Sequence, residues 1–349
     1  MKYKRHIVIL SPGFPASEND DTCLPAQQAF VQAFQRSRPH WRLSIIAFQY
    51  PFREAYYQWK GITVYGIGGK NRGQLFRLLA WGKAWKILRR LQKEEGVDGL
   101  LSFWYGECAY LGKRFATRYG CPHFCWILGQ DARPGNRYVA RTGLNAGELI
   151  AMSDFLAGEL ERNYNIRNVR VICNGLEERE TVDLLPRPID IMGAGSLIPL
   201  KQYGLFVQCI HRLQADFPSL LAVLCGKGPE SGQLLRMIRD LGLEKNIMLL
   251  DELPHDEVLR FMQRSRIFLH PSSYEGFSTV CLEARAAGAE VVSFCQPVKR
   301  AIAGWHIVTS PQEMYDKLHG LMQQQEMTIP KIEYKMEDSA ESMALLFGQ

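Results

Sequence analysis

Short apolar runs rich in β-branched residues alternate with helix-length segments along the whole chain. The runs are HIVIL (6–10), LSIIAF (43–48), ITVYGI (62–67), GLLSF (99–103), HFCWIL (123–128), LIAM (149–152), VRVI (169–172), PIDIMGA, SLLAVLCG, IMLLDE, RIFLHP and EVVSF. Strands that alternate with helices build βαβ units and parallel sheets. The pattern therefore predicts an α/β protein.

About twelve strands are too many for one open sheet, and a length of 349 residues suits two domains. The apolar rhythm stops at residues 174–188, NGLEERETVDLLPRP, which gain charges and prolines. We therefore expect domains over residues 1–175 and 176–330. Each should be a doubly wound, Rossmann-like sheet, and the two should face each other across a cleft. In such sheets ligands bind beyond the carboxyl ends of the strands.

Composition excludes several classes of protein. No window approaches the roughly 20 uncharged apolar residues of a transmembrane helix, and the apolar run at residues 6–10 is too short for a signal peptide. The nine cysteines are odd in number and mostly lie in apolar segments, and no paired spacing completes a zinc site. This usage is typical of reduced thiols, so we expect a soluble cytoplasmic protein without a bound metal.

The net charge of +6 is unevenly distributed, because residues 1–93 carry +12 and the remainder carries −6. Residues 70–93 are basic, and NRGQLFRLLAWGKAWKILRRLQ has apolar residues at helical spacing. Such a helix, with Trp81 and Trp85, could bind an anionic membrane surface. It could equally be an ordinary covering helix with its lysines in water. No recognised nucleic-acid motif accompanies the charges.

Two loops in the second half place glycines and a lysine after a strand. GAGSLIPLKQYG carries Gly195, Ser196 and Lys201, and CGKGPE turns at Gly226 and Lys227. Glycine allows close approach of the backbone to a ligand, and lysine can neutralise a phosphate. Each loop is also compatible with a simple tight turn.

A third loop, in HPSSYEGFSTVCLEARAAGAEVVSF, carries two glutamates. A strand ends at His270, Glu275 and Gly276 follow in a loop, and a helix is expected to begin near 278–279, with Glu283 one turn inside it. Backbone N–H groups at a helix N-terminus form a ready site for a pyrophosphate. The two carboxylates can accept hydrogen bonds from hydroxyl groups of a sugar and of a ribose.

These motifs together resemble the retaining family 4 (group 1) glycosyltransferases, which have the GT-B fold. EGFSTVCLE resembles the Glu-x7-Glu signature, GAGSLIPLKQYGLF the phosphate loop, CGKGPE the mid-domain turn, and VRVICNG (169–175) the domain junction. SPGFP resembles the N-terminal glycine loop, and MEDSAESMALLFGQ, within residues 331–349, resembles a closing helix that returns to the first domain.

The resemblance implies transfer of a sugar from a UDP- or GDP-linked donor, with retention of configuration and with no metal or other cofactor. Lys201 would stabilise the leaving diphosphate, Glu275 would orient the sugar, Glu283 would bind the ribose, and Gly13 would let the first domain close over the phosphates. The donor-binding residues expected on this basis are Gly13, Gly195, Ser196, Lys201, Gly226, Lys227, Gly276, Phe277, Ser278, Thr279 and Glu283.

The chain departs from the family pattern at two positions. Ser196 stands where an arginine is usual, and Lys227 stands where an acid is common, so Lys227 could supply the missing charge. Full activity of Lys227→Ala would contradict that compensation. The missing arginine is also compatible with a non-catalytic sensor or scaffold that binds nucleotide sugars. The intact Glu275, Glu283, Lys201 and Gly13 favour an enzyme.

Candidate acceptor residues lie in WILGQDARPGNRYV. Asp131 could contact the sugar or assist deprotonation of the acceptor hydroxyl, or it could simply cap the loop. Arg133 and Arg137 could bind an anionic acceptor or lie in solvent. His270, at a strand end, is more typical of a structural histidine, and Ser153 is more typical of a helix N-cap.

The resemblance also implies a class of acceptor. Related enzymes commonly extend membrane-anchored glycans, so we expect a glycan or lipid-linked acceptor in bacterial cell-surface polysaccharide or glycolipid synthesis. The basic first domain would suit a peripheral position on the inner face of the membrane.

Overall fold

The chain divides into two compact units in the computed structural model, which describes residues 3–20, 22–178, 186–324 and 329–348. Unit 1 comprises residues 1–177 and 334–349, and unit 2 comprises residues 178–333. These divisions lie within three residues of those expected from the sequence. Residues 179–185 of the expected linker lie outside the described residues.

Unit 1 is built on an eight-stranded sheet. Its strands are β1 (Arg5–Gly13), β2 (Trp41–Tyr50), β3 (Ala55–Trp59), β4 (Ile62–Gly66), β5 (Gly99–Phe103), β6 (His123–Ile127), β7 (Leu149–Ala151) and β8 (Arg170–Val171). Their order is β3-β4-β2-β1-β5-β6-β7-β8, and every neighbouring pair is parallel except β3 with β4. The five residues of β5 are all buried, as expected where helices cover both faces of a parallel sheet.

Among the described residues of unit 1, five α-helices precede the junction and connect the strands. They are α1 (Pro25–Ser37), α2 (Gln74–Glu94), α3 (Glu107–Tyr119), α4 (Arg137–Thr142) and α5 (Asp154–Tyr164). The long helix α2 buries Ala80, Ala84, Leu88 and Leu91, which recur at helical spacing on one face.

Unit 2 is built on a six-stranded, wholly parallel sheet of order β11-β10-β9-β12-β13-β14. The strands are β9 (Ile189–Ala194), β10 (Ala222–Cys225), β11 (Ile247–Leu250), β12 (Ser265–His270), β13 (Glu290–Ser293) and β14 (Trp305–Ile307). The helices are α6 (Tyr203–Leu213), α7 (Ser231–Asp240), α8 (His255–Gln263), α9 (Thr279–Ala286) and α10 (Pro311–Gln323). Two sheets of this kind confirm the predicted α/β class.

The C-terminal helix α11 (Met336–Leu345) belongs to unit 1. Arg38, just past the end of α1, donates two hydrogen bonds to the carboxylate of Glu341, at 2.6 and 2.7 Å. Ser339 donates from Oγ to the carbonyl of Cys173 at 2.6 Å. These contacts hold the last helix against the body of unit 1.

Two strands were not expected from the sequence. β3 forms a two-residue hairpin with β4, and the turn residues Lys60 and Gly61 both have positive φ, at 45° and 80°. β14 is a three-residue edge strand beside β13. Within the described ranges, no helix is both long enough and apolar enough to cross a membrane.

Candidate functional site

Three loops meet at the carboxyl edge of the unit 2 sheet: those that follow β9, β10 and β12. The amide of Gly195 donates to the carbonyl of Cys225, and the amide of Leu197 to that of Lys227, each at 3.0 Å. The amide of Ser273 donates to the carbonyl of Leu200, also at 3.0 Å. The loop after β9 is therefore fixed on both sides by backbone hydrogen bonds.

Glycine is required where the first two of these loops touch. A Cβ on Gly226, whose φ is +154°, would lie 1.9 Å from the carbonyl oxygen of Gly195. A Cβ on Gly228 would lie 2.3 Å from the carbonyl oxygen of Leu197. The turn at 226–228 therefore has a packing role, in agreement with the tight-turn alternative.

Gly195 also lies against the site itself. Its φ is +149°, and a Cβ there would stand 2.9 Å from Oη of Tyr203 and 3.9 Å from Cε of Lys201. The Tyr203 hydroxyl is buried and has no hydrogen-bond partner among the described residues. Gly195 thus leaves space beside a lysine and a buried hydroxyl group.

Glu275 lies at the centre of the charged groups of this edge. Its Oε1 is paired with Nζ of Lys201 and accepts a hydrogen bond from Nε2 of His270 at 3.0 Å. The Glu275 and Lys201 side chains are only 16% and 18% exposed. The structure therefore brings together the lysine and glutamate named from the sequence, and it adds His270, which the sequence suggested was structural.

The electrostatics of this group follow from burial and pairing. Burial raises the pKa of Glu275, but the hydrogen bond from His270 and the charge of Lys201 outweigh it and lower the pKa to about 2. Burial lowers the pKa of His270, so its ring is neutral at pH 7 and Nε2 carries the donated proton. Glu275 is therefore ionised and can only accept hydrogen bonds.

The helix that follows Glu275 begins with an uncapped N-terminus. Ser278 has a positive φ of 59° and makes no side-chain cap, because its Oγ donates to Sγ of Cys281 at 3.0 Å. Gly276 and Phe277 are buried, and Thr279 is half-buried as the first residue of α9. The side chains of Phe277 and Ser278 are therefore turned into the protein, and no side chain caps the first turn of α9.

Glu283 lies in α9 and contacts a residue that sequence reasoning missed. Nε2 of His255, the first residue of α8, is 2.9 Å from Oε1 of Glu283. No spacing or motif in the sequence singled out His255. The side chains of Ser196 and Lys227 are both exposed, and no contact of the Lys227 side chain among the described residues favours the proposed charge compensation.

Asp131 has the contacts of a structural residue. It is buried, and its carboxylate accepts hydrogen bonds from the amides of Tyr105 (2.8 Å), Gly129 (2.8 Å) and Leu128 (3.2 Å). Burial raises the pKa of Asp131, and these amides offset the rise in part. Asp131 joins the loops after β5 and β6, which supports loop capping over a role as a base.

The remaining candidate residues of unit 1 lie at the end of β1 and near α4 and α5. Gly13 ends β1, and a Cβ there would lie 3.3 Å from Cβ of Tyr50. The exposed guanidinium of Arg137 lies over the ring of Tyr138, 5.9 Å from its centroid, and Arg133 is half-buried. Ser153 is the N-cap of α5, as predicted, and accepts from the Leu156 amide at 3.1 Å.

Trp81 and Trp85, the candidates for membrane binding, pack against α3 of unit 1. Nε1 of Trp81 donates to Oε2 of Glu107 at 2.8 Å, and the ring of Trp85 meets that of Phe115 edge-on, with centroids 5.8 Å apart. Both rings are half-buried. The tryptophan face of α2 is therefore a covering face, and binding of residues 70–93 to a membrane stays a prediction.

All nine cysteines are free thiols. No group of three or more His, Cys, Asp or Glu side chains in the described part of the chain could hold a metal ion. Lys201 lies at the unit 2 edge together with the first-turn amides of α9.

Residues 177–330, which are nearly the whole of unit 2, match the family model described as glycosyl transferases group 1. These residues are therefore similar to the group 1 glycosyltransferases. The match covers the three loops of the site, including Lys201, Glu275 and Glu283.

Individual proteins named as glycosyltransferases are also similar to the chain. An uncharacterized glycosyltransferase of Methanocaldococcus jannaschii is 24% identical over 222 residues, which are 60% of this chain and 59% of the relative. The N-acetylgalactosamine-N,N'-diacetylbacillosaminyl-diphospho-undecaprenol 4-alpha-N-acetylgalactosaminyltransferase of Campylobacter jejuni is 27% identical over 143 residues, 38% of this chain and 37% of the relative. Each match thus spans less than two thirds of the relative.

A solved structure matches almost the whole chain. The crystal structure of Anabaena HepE in complex with UDP and glucose is similar with a TM-score of 0.64 and 15% sequence identity, over 98% of this chain and 95% of that one. Together with the two sheets, this similarity shows that the chain has the GT-B fold.

Proposed function

We propose that the protein is a retaining, metal-independent glycosyltransferase that moves a sugar from a UDP- or GDP-linked donor to a glycan or lipid-linked acceptor, in bacterial cell-surface polysaccharide or glycolipid synthesis. The observation that carries the proposal is the convergence of Lys201, ionised Glu275 and the uncapped start of α9 at one sheet edge. The match of residues 177–330 to the model of the group 1 glycosyl transferases supports it.

The charges at this edge suit a nucleotide diphosphate leaving group. Cleavage of the donor develops negative charge on the diphosphate, which the Lys201 ammonium and the α9 amides would stabilise. These groups would supply the positive charge of the site, so activity is expected to persist in EDTA.

Glu275 and Glu283 would bind the hydroxyl groups of the donor. Because Glu275 is ionised, it accepts hydrogen bonds from sugar hydroxyls and stabilises positive charge that develops on the sugar ring. His270 would hold Glu275 in place through its 3.0 Å hydrogen bond. Glu283, oriented by His255, would accept from the ribose.

The acceptor side of the proposal is supported by relatives. The Campylobacter relative is named as acting on a diphospho-undecaprenol-linked glycan. The basic first 93 residues of this chain would suit such an anionic, lipid-linked molecule.

A panel of UDP- and GDP-sugars tests the proposal, with released nucleoside diphosphate as the readout. Wild-type protein should release it from at least one donor, and Glu275→Ala should lose most of that release. The exposed Glu244→Ala in the same unit is the matched control and should retain it.

The same panel, read by calorimetric binding, separates the enzyme from a sensor. Binding of a nucleotide sugar without turnover, in the presence of candidate lipid-linked acceptors, would favour the non-catalytic alternative that Ser196 suggested. If the protein neither binds nor turns over any nucleotide sugar, both the enzyme and the sensor are contradicted.

A further inference from the structure

Trp104 has a backbone conformation that large side chains rarely adopt. It directly follows β5 at the carboxyl edge of the unit 1 sheet, and its φ is +63°. The left-handed region is strained for a bulky residue, and residues held there cluster at ligand-binding sites. The turn formed by residues 104–106, called the Trp104 turn below, is therefore a candidate binding element.

Hydrogen bonds from β6 and from the loop after it hold the Trp104 turn in place. The amide of Trp104 donates to the carbonyl of Trp126 at 3.0 Å. The carboxylate of Asp131 accepts from the amide of Tyr105, and Nδ2 of Asn136 donates to the Tyr105 carbonyl, each at 2.8 Å. Three elements of the fold thus maintain a strained backbone, which indicates that the position of this turn matters.

The side chain of Trp104 is held less firmly than its backbone. Its ring meets the buried ring of Phe103 edge-on, with centroids 6.5 Å apart. Trp104 is half-buried, and its Nε1 is neither buried nor hydrogen-bonded to any described residue. Part of the indole, including its N–H group, is therefore available to a ligand.

A carboxylate and a guanidinium group lie at the same edge of the sheet. Glu107, the first residue of α3, accepts hydrogen bonds from Nε2 of Gln49 and Nε1 of Trp81, and its carboxylate has room for more. Nε of Arg77 is 3.7 Å from Oε2 of Glu107 and has no hydrogen-bond partner among the described residues. NH1 of Arg77 is 3.5 Å from the hydroxyl of Tyr138. Both charged groups can therefore form further hydrogen bonds.

Tyr138 connects these charged groups to the Trp104 turn. Its amide donates to Oδ1 of Asn136 at 3.0 Å, and Asn136 in turn binds the carbonyl of Tyr105. The combination of an aromatic ring, a carboxylate and a guanidinium suits a sugar, because the apolar C–H face of the sugar packs on the ring and its hydroxyls bond the charged groups. The Glu107 carboxylate would repel a phosphate, which favours a neutral sugar.

We propose that the Trp104 turn, together with Arg77 and Glu107, binds a neutral sugar ring of the acceptor, with the indole of Trp104 against the C–H face of that ring. The inference rests on the proposed function and deepens it, because it requires that the acceptor already carries a sugar. An acceptor that consists only of a lipid or a lipid phosphate would not use this site.

Saturation-transfer NMR tests the site without any sugar donor, with the methyl glycosides of glucose, galactose, mannose, N-acetylglucosamine and N-acetylgalactosamine as probes. Irradiation of the aromatic protons of the full-length wild type should saturate the ring protons of at least one glycoside. Trp104→Gly should weaken that binding by about tenfold or more, and Trp104→Phe should restore it in part. Glycine is the chosen replacement because it adopts a φ of +63° without strain.

Acceptor kinetics separate binding from a structural role. Once a donor and an acceptor are found, Trp104→Gly should raise the acceptor KM by about tenfold and leave donor hydrolysis within about twofold of wild type. The matched control is Tyr56→Ala, which removes an exposed aromatic ring from β3 of the same unit and should behave as wild type. Circular dichroism and thermal melting should show that all three variants are folded.

The proposal is overturned if no glycoside is saturated by wild type, if Trp104→Gly binds as wild type does, or if inorganic phosphate displaces the bound glycoside. Parallel loss of donor hydrolysis and acceptor binding in Trp104→Gly would also overturn it, because Trp104 would then only maintain the fold. If glycosides bind through Trp104 but wild type turns over no donor, the proposed function fails and the sugar site stands.

Discussion

Replacement of Lys201 by methionine should destabilise unit 2, because it leaves the buried carboxylate of Glu275 without its cation. The pKa of Glu275 is about 2 in the folded protein, compared with 4.5 for an ordinary glutamate. Each pKa unit corresponds to about 1.4 kcal/mol, so pairing favours the folded state by about 3 kcal/mol at neutral pH. Removal of one partner of a buried pair typically costs about 3–5 kcal/mol. Because the hydrogen bond from His270 remains, we expect a loss of about 2–3 kcal/mol.

The pH dependence of this loss identifies its cause. A carboxylate whose pKa is lowered by folding contributes its full stabilisation above the unfolded pKa, and that stabilisation disappears as the pH falls toward the folded pKa. Near pH 3.5, one unit below the ordinary pKa of a glutamate, wild type has lost about 1.4 kcal/mol of this stabilisation. The Lys201→Met variant has little of this stabilisation to lose, because its Glu275 is unpaired. The difference in stability between the two should therefore shrink by about 1 kcal/mol between pH 7 and pH 3.5.

Native-state hydrogen exchange of the β9 and β12 amides measures the stability of unit 2 separately from that of unit 1. The exposed Lys245→Met is the control for loss of one positive charge in the same unit. The double variant Lys201→Met/Glu275→Gln should recover much of the loss, because a neutral amide replaces the unpaired carboxylate. The reasoning would be refuted if the loss of stability in Lys201→Met did not change with pH. It would also be refuted if that loss equalled the loss in Lys245→Met.

Three further substitutions test the site. Gly226→Ala should lower the stability of unit 2 by more than about 2 kcal/mol in thermal denaturation, because the new Cβ overlaps the Gly195 carbonyl; a neutral effect would contradict the loop contact. Asp131→Ala should lower the stability of unit 1 by about 2–4 kcal/mol, measured by hydrogen exchange, and hydrolysis of the sugar donor should persist. Loss of sugar transfer without loss of stability would instead indicate a catalytic role for Asp131. His270→Ala should shift the acidic limb of the pH–rate profile to higher pH, because Glu275 loses a hydrogen-bond donor that lowers its pKa. His270→Gln should restore the wild-type profile in part. Identical profiles for His270→Ala and His270→Gln would contradict the role of the His270–Glu275 hydrogen bond.

The strands of the parallel sheets could be predicted because they are apolar runs bounded by helical segments. The missed strand β3 has alternating burial, AYYQW, and it joins β4 through a turn in which Lys60 and Gly61 have positive φ. Asn-Gly or Asp-Gly is the usual signal for such a turn, and Lys-Gly is a weak one. β14 is three residues long and is stabilised by its partner rather than by its own pattern.

The site could be predicted where a motif carries it and not where the fold creates it. Lys201 and Glu275 were both expected, but their direct pairing across 74 residues depends on how two loops pack. Neither the contact of His270 with Glu275 nor that of His255 with Glu283 leaves a local signal in the sequence.

Similar reasons explain why the sequence left alternatives open in unit 1. The spacing of α2 showed an apolar face, but not which of its aromatic residues would be covered by α3. Trp81 and Trp85 pack on that helix, whereas Phe76 remains in solvent. Asp131 stands after a strand, where catalytic and capping residues are equally common, and only its three amide contacts favour the second role.

The most direct test of the central claim is proton NMR of the reaction with the active nucleotide sugar and acceptor in the presence of EDTA. The account predicts a new glycoside whose anomeric coupling matches that of the donor, formed by wild type and lost in Glu275→Ala. A product of inverted configuration, or activity that requires an added divalent cation, would contradict it.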